Sequence, residues 1–257
     1  MTKPKILCYI PMSPKRPKLY ARTIQSVMNV IWDAQIEYVF NREDNPVEMP
    51  YANICKKYNQ ARAMCLAGDY DALWTVEADM IVPPLTLERL TRINADVAYG
   101  LYVSRHGNHR WLAFCSVGEQ IGVSLSDDRI NARAAWGNVV ETQGVGLGCT
   151  LIWRHVLEKI EFRRPDDSAV ANDWYFALDC MQHGFVQKHD FGVVCGHIIS
   201  PPSPKILWPD PDADRLYRIE FFNEAPPERI QEGERVEIVI DRLETKGIYQ
   251  MQAGEAK

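Results

Sequence analysis

No apolar stretch in this 257-residue chain approaches the roughly 18 residues that a membrane-spanning helix needs. The opening, "MTKPKILCYIPMSPKRPK", holds an apolar patch too short for a secretory signal, and it is cut off by Pro11 and Pro14. The expectation is a cytoplasmic protein. No two of the seven cysteines have C-x-x-C spacing, and their number is odd. That argues against a thiolate zinc site and against a disulfide framework. A basic surplus is missing as well. The net charge of −5 disfavours partners held through nucleic-acid phosphates. The one basic cluster, "SPKRPK" at Ser13 to Lys18, reads as a solvated loop. The chain has no internal repeat and no low-complexity tract. It carries no strong signal for nucleic acid or for a membrane.

What remains is ordinary for a globular protein: 46% hydrophobic and 25% charged residues. The length suits one large domain, or one domain with an appendage. "KILCYIP" is a short apolar run stopped by proline and predicts a buried strand. "LYARTIQSVMNVIW" comes next, with Leu19, Thr23, Val27 and Val30 on one stripe, which predicts a helix. "IEYVFN" is the next strand, and "YANICKKYNQARAMCLAG" the next helix, stopped by Gly68. "ALWTVEAD" is a third strand, Pro83 and Pro84 open the helix "LTLERLTRI", and "ADVAYGLYVS" is a fourth strand. This alternation predicts an α/β fold, a Rossmann-related sheet with helices on its faces and ligands at the strands' carboxyl ends.

The middle is less regular. "SRHGNHRWLAF" and "SLSDDRINARAAWGNVVE" read as loops with at most one hairpin. "CTLIWRHVLEKI" reads as a strand feeding a helix, and "NDWYFALDCMQHG" as a helix capped by Asn172, with Asp173 in its first turn and Gly184 at its end. "FVQKHDFGVVCGHI" gives two short strands. "SPPSPK" marks a boundary, so the expected organisation is a main domain over residues 1–200 and a small C-terminal extension over 201–257. Within the extension, "RLYRIEFF" and "RVEIVIDRL" read as strands.

The chemistry concentrates in "WTVEADMIVPP", Trp74 to Pro84. Acids are rarely buried unpaired. Residues i and i+2 of an extended strand face one way, so Glu77 and Asp79 are expected to point together beyond the sheet. Two hard oxygen donors there suit Mg²⁺ or Mn²⁺, either of which keeps coordination sites for phosphates. Acid-x-acid begins at five places, Asp69, Glu77, Asp210, Asp212 and Glu232, and only the one at Glu77 follows an apolar strand-like run. The plain alternative is that the acids merely solvate a strand end.

The stretch resembles the metal-binding segment of GT-A-fold glycosyltransferases of the family 2-like group, where a strand ends in D-x-D or a variant. Three more segments fit in order: "LYARTIQSVMNVI", "GVGLGCTLIWRHVLEKI" with Arg154 before its helix, and "NDWYFALDCMQHGF" followed by "VCGHI". The resemblance spans about Lys5 to Ile199. It implies a GT-A-like mixed sheet and a nucleoside diphosphate sugar donor. It also implies metal-dependent transfer to an acceptor hydroxyl that the sequence does not identify. Asp79, and His197 near the end, would hold the metal, and imidazole suits Mn²⁺ better than Mg²⁺. Glu77, one methylene longer than the usual Asp, would contact the ribose or the metal through water. Asp173 matches the general base of inverting members, and Asn172 stands where Glu is often found. Pro11 and Met12 after the first strand, and Asn41, Glu43 and Asp44 after the second, match the loops that hold the base. Arg62 matches a basic residue that reaches base or phosphate; Ala78 and Gly146 complete the implied donor contacts. His106 and His109, with Arg105 and Arg110, lie in a loop that could close over a diphosphate.

Structural readings of the same residues stay open. Asp173 could simply complement a helix dipole, His197 could be a satisfied core histidine, and Arg62 could lie on a helix surface. "GVGLGC" partly matches a dinucleotide fingerprint, but it precedes a strand rather than a helix. Two other functions compete. A sugar nucleotidyltransferase would carry a Gly-rich basic loop after its first strand, and "IPMSPKRPK" has no glycine. A non-catalytic nucleotide-sugar-binding module would keep the pocket without the chemistry, a reading that Asn172 keeps alive.

Overall fold

The computed structural model describes residues 3–12, 21–41, 50–118, 121–165, 168, 171–199, 205–222 and 236–240. In chain order the elements are β1 (Ile6–Pro11), α1 (Ala21–Met28), β2 (Ile36–Asn41), α2 (Pro50–Ala67), β3 (Ala72–Val76), β4 (Met80–Ile81), α3 (Thr86–Leu90) and β5 (Val97–Leu101). Then come β6 (Phe114–Val117), β7 (Gly122–Ser124), α4 (Arg129–Ala135), β8 (Val139–Glu141), β9 (Cys149–Trp153), α5 (Arg154–Leu157) and α6 (Asn172–Gln182). The last are β10 (Gln187–Val194), β11 (Gly196–Ile199), β12 (Lys205–Pro209), β13 (Tyr217–Phe221) and β14 (Val236–Ile240).

Eight strands form a mixed sheet in the order β14-β2-β1-β3-β9-β5-β10-β8, flanked by helices. β1 lies parallel to β2 and β3, and β5 to β10, while β9 runs antiparallel between β3 and β5. The apolar runs are near-continuous because both faces are covered. Ile6, Cys8 and Ile10 turn to one side, where α1 and α3 contribute Val27, Leu87 and Leu90. Leu7 and Tyr9 turn to the other, against Tyr58, Ala61 and Cys65 of α2 and Phe176 of α6. A second sheet, β13-β12-β11-β4, is antiparallel throughout. Through it residues 205–222 continue the strand that carries His197, and β14 extends the main sheet beside β2.

Several local expectations are corrected. Arg129–Ala135, read as loop, is a helix: the Asp128 carboxylate caps it by accepting from the Ile130 and Asn131 N–H groups, and Ala132 and Ala135 are its buried side. β8 and β12 were not expected. Asn172 does not cap α6; Ala171 holds that position without a side-chain bond, and Asn172 is the first helical residue. Asp173 does lie in the first turn, and Gly184 follows the helix with φ +73°. All seven cysteines are free thiols. Among the described residues no helix is long and apolar enough to cross a membrane.

Candidate active site

β3 stops at Val76, three residues short of the end of an extended Glu-Ala-Asp. The Glu77 N–H donates to Gly148 O at 3.0 Å, and the Met80 N–H donates back to Glu77 O at 3.0 Å, closing a turn. The two acids therefore converge through a turn, not through strand alternation. The chain leaves as β4, which pairs with β11: Met80 lies opposite His197 and Ile81 opposite Gly196. The Ile198 N–H donates to Asp79 O at 2.8 Å and fixes the register. Pairing of segments more than a hundred positions apart thus brings one ligand atom each from Glu77, Asp79 and His197 within 4.8 Å of one another.

His197 is 3% exposed. Its Nδ1 lies 2.7 Å from Val103 O. A carbonyl only accepts, so Nδ1 carries a proton, and in the neutral ring Nε2 presents a lone pair. Nε2 is buried, has no hydrogen bond, and stands 3.6 Å from Asp79 Oδ1. Burial lowers the His197 pKa, but the Asp79 charge outweighs it and the net shift is upward, so either a proton on Nε2 or a metal ion beside it reconciles ring and carboxylate. The donor set of one imidazole and two carboxylates fits a divalent ion, and the Val103 carbonyl is the outer contact that orients the imidazole for one. His197 is therefore not a fully satisfied core histidine.

Burial pushes the Glu77 carboxyl up, and the neighbouring Asp79 charge adds to this, against the pull of Arg105 and His197. Burial also raises Asp173, although its Oδ1 accepts from the Trp174 N–H at 2.8 Å. Burial raises the Tyr58 and Tyr102 hydroxyls, and the charges of Glu77 and Asp173 both add to the rise, so the two acids act on the same pair of buried phenols.

Arg105 is ion-paired with Asp79. It starts the tip of a strap whose base is the bridge between Val103 and Trp111. The other basic residues expected around a diphosphate are placed elsewhere. Arg110 Nε donates to Asp127 at 2.6 Å, His109 Nδ1 lies 2.9 Å from Ser104 O with its ring edge on Tyr217, and His106 is exposed.

The remaining sequence candidates are divided. Pro11 ends β1 opposite Asn41. Met12 is buried in the core, and its carbonyl receives the ammonium of Lys57. The Asn41 amide is spent internally, donating to Tyr9 Oη at 2.6 Å and to Gln60 Oε1 at 2.7 Å. Glu43 and Asp44 lie outside the described residues. Arg62 turns to the back of α2: its Nε donates to Leu157 O at 2.6 Å and it pairs with Glu161. Arg154 also has a structural task. It donates to the carbonyls of Cys65, Leu66, Gly68 and Tyr70 and so caps the C-terminus of α2. Ala78 forms the half-buried corner of the acidic turn.

Gly146 belongs to a loop that abuts Glu77. Its φ is +106°, and an added Cβ would overlap the Tyr102 hydroxyl. Val145 beside it has φ +84°, a strained value for a β-branched residue. The loop is held by Thr75 Oγ1 donating to Leu147 O at 2.7 Å and Thr150 Oγ1 donating to Gly146 O at 2.9 Å. Sequence reasoning missed Lys57 and Tyr58. Lys57 is 2% exposed, and the Tyr58 hydroxyl is buried with no hydrogen-bond partner. Tyr58 carries no signal beyond its place on the apolar stripe of α2, and Lys57 stands one position off it.

A scan of protein-family models finds no match, and a search of curated proteins finds none. Solved structures do match. The crystal structure of A197 from STIV superposes with a TM-score of 0.55 at 21% identity, covering 90% of this chain and 100% of that one. At that identity the likeness concerns the fold alone. The crystal structure of S. aureus TarS 1-349, from a glycosyltransferase, gives a TM-score of 0.46 at 12% identity, with 72% of this chain and 57% of that one covered. The second overlap is too loose to establish a shared fold.

Proposed function

We propose that this protein is a metal-dependent glycosyltransferase that moves a sugar from a nucleoside diphosphate sugar to an acceptor hydroxyl. The observation that carries the reading is the meeting of Glu77, Asp79 and the unpartnered Nε2 of His197; the charge of Asp173 acts on Glu77 as well. Mn²⁺ or Mg²⁺ would be held by Asp79 and His197, with Glu77 as the third ligand. When bound, the ion supplies Lewis-acid compensation for charge on the departing diphosphate.

The chain's own residues do the rest. The half-buried Asp173 carboxylate takes the proton of the acceptor hydroxyl as that oxygen attacks the anomeric carbon. The bond from carbon to the diphosphate oxygen breaks, and its electron pair leaves with the diphosphate. Burial raises the Asp173 pKa, which makes its carboxylate a stronger base than one in water. The ends of β1 and β2 at Pro11, Met12 and Asn41 would back the base site, with the Met12 and Asn41 side chains turned inward as its support, and the Gly146 loop would approach the sugar. Residues 1–200 would form the catalytic domain and 201–257 an extension of it. Seven free thiols suit a reducing compartment, so we place the reaction in the cytoplasm.

The test is incubation with a panel of nucleoside diphosphate sugars and Mn²⁺, followed by detection of released nucleoside diphosphate. Release is expected from the native protein and not from Asp79→Ala, with unchanged circular dichroism in the variant. Binding of a donor without any release would leave a binding module in place of the enzyme. Failure to bind any donor would refute both.

A further inference from the structure

The Arg105–Asp79 pair sits on the carboxylate that the metal needs. Resting on the glycosyltransferase reading above, we propose that Arg105 is the resident counter-cation of this site. A divalent ion displaces it from Asp79, and the freed guanidinium takes the diphosphate that arrives with the ion. Arg105 thereby couples metal binding to diphosphate binding.

The charge balance argues for this. The Asp79 and Arg105 side chains are only 14% and 26% exposed. Such a carboxylate, with Glu77 beside it, needs a positive neighbour. Without an ion, the guanidinium provides it. Adding a divalent ion to two carboxylates and one guanidinium leaves one net positive charge. The ion alone must therefore compete with Arg105. An ion that brings a diphosphate gives the guanidinium a new anion to hold, and the planar fork of an arginine suits phosphate oxygens.

The strap is built for such an exchange. Its base is fixed: the Ser104 N–H donates to Arg110 O at 2.8 Å, the Leu112 N–H donates to Tyr102 O at 2.9 Å, and buried Trp111 donates through Nε1 to Leu216 O at 2.7 Å. The base also holds the metal site, since Val103 O accepts from His197 Nδ1. The tip reaches into solvent: His106, Gly107 and Asn108 are exposed, and Gly107 turns the chain with φ +64°. Arg105 is the residue where fixed base becomes exposed tip, so its side chain can swing while His197 stays in place.

The experiment measures Mn²⁺ binding by electron paramagnetic resonance, with and without a saturating nucleoside diphosphate, for the native protein, Arg105→Gln and Arg105→Lys. In Arg105→Gln the ion alone should bind about 10-fold more tightly than in the native protein. The tightening of Mn²⁺ caused by the diphosphate should shrink by about 10-fold, within the usual range of coupling between sites. Arg105→Lys keeps the charge and should behave like the native protein toward the ion alone. Equal or weaker Mn²⁺ binding by Arg105→Gln, or unchanged coupling, would overturn the proposal. If neither the native protein nor Arg105→Gln binds the ion, the metal site itself is wrong and the proposal falls with it. If the exchange is observed and no sugar is transferred, the enzyme reading fails while this one stands.

Discussion

His197 Nε2 faces Asp79 Oδ1 at 3.6 Å, while Nδ1 of the same ring donates to Val103 O at 2.7 Å. One backbone carbonyl thus holds the ring, and in its neutral form directs the lone pair of Nε2 toward Asp79. His197→Phe keeps the ring's bulk and removes both nitrogens. Without metal it should cost about 1–2 kcal/mol, the loss of one buried hydrogen bond. Saturating Mn²⁺ should stabilise the native protein by about 3 kcal/mol at a hundred times its dissociation constant and leave His197→Phe unchanged. Urea melts with and without the ion read both effects.

The role proposed for Asp173 is proton removal and not donor binding. Asp173→Asn should lower turnover by about 10² to 10⁴ and leave the donor dissociation constant within a few-fold. Steady-state kinetics and a donor titration separate the two. An equal loss in both would make Asp173 a binding residue.

The Gly146 backbone is one that a side chain strains. With φ at +106° and the Tyr102 hydroxyl where a Cβ would stand, Gly146→Ala should destabilise by about 1–3 kcal/mol. The loop also carries Gly148, whose carbonyl holds the Glu77 N–H. The same substitution should therefore weaken Mn²⁺ binding, which urea melts and metal titration together would detect.

Acid sensitivity should come in part from a histidine outside the site. Burial drives the His189 pKa down to about 3 from an ordinary 6.5, although its bond to Leu112 O opposes this. The folded state keeps the ring neutral while the unfolded chain takes up a proton. The stability this gives is complete above pH 6.5 and is lost as pH falls toward 3. Between pH 6.5 and 5 the loss is about 2 kcal/mol. Urea melts of the native protein and His189→Gln at both pH values should differ in slope by about that amount, the native protein being the more sensitive.

Much of the frame was legible in the sequence. β1, α1, β2, α2 and β3 announce themselves because a sheet covered on both faces needs unbroken apolar strands and one-sided helices. Glu77 and Asp79 stood out because charge at the end of such a strand has no packing role. The turn that joins them was not legible, since "VEADM" suits strand or turn equally and Gly148 O decides between them. The pairing of β4 with β11 leaves no local trace, as neither strand's register depends on its neighbours in sequence. Lys57 escaped because lysines on helices are normally solvated, whereas here the Met12 carbonyl receives its ammonium. Arg62 matched a motif and faces the wrong way: helix phase puts it toward Leu157 and Glu161. Arg129–Ala135 is too short for periodicity to reveal, and its one cue was Asp128.

The most direct test of the central claim is an anomalous-difference map from a crystal soaked with Mn²⁺ and a nucleoside diphosphate. A peak touching Asp79 and His197 Nε2, with Arg105 on the diphosphate, is the expected result. A pocket without that peak, or one with Arg105 still on Asp79 and the metal bound elsewhere, would contradict it.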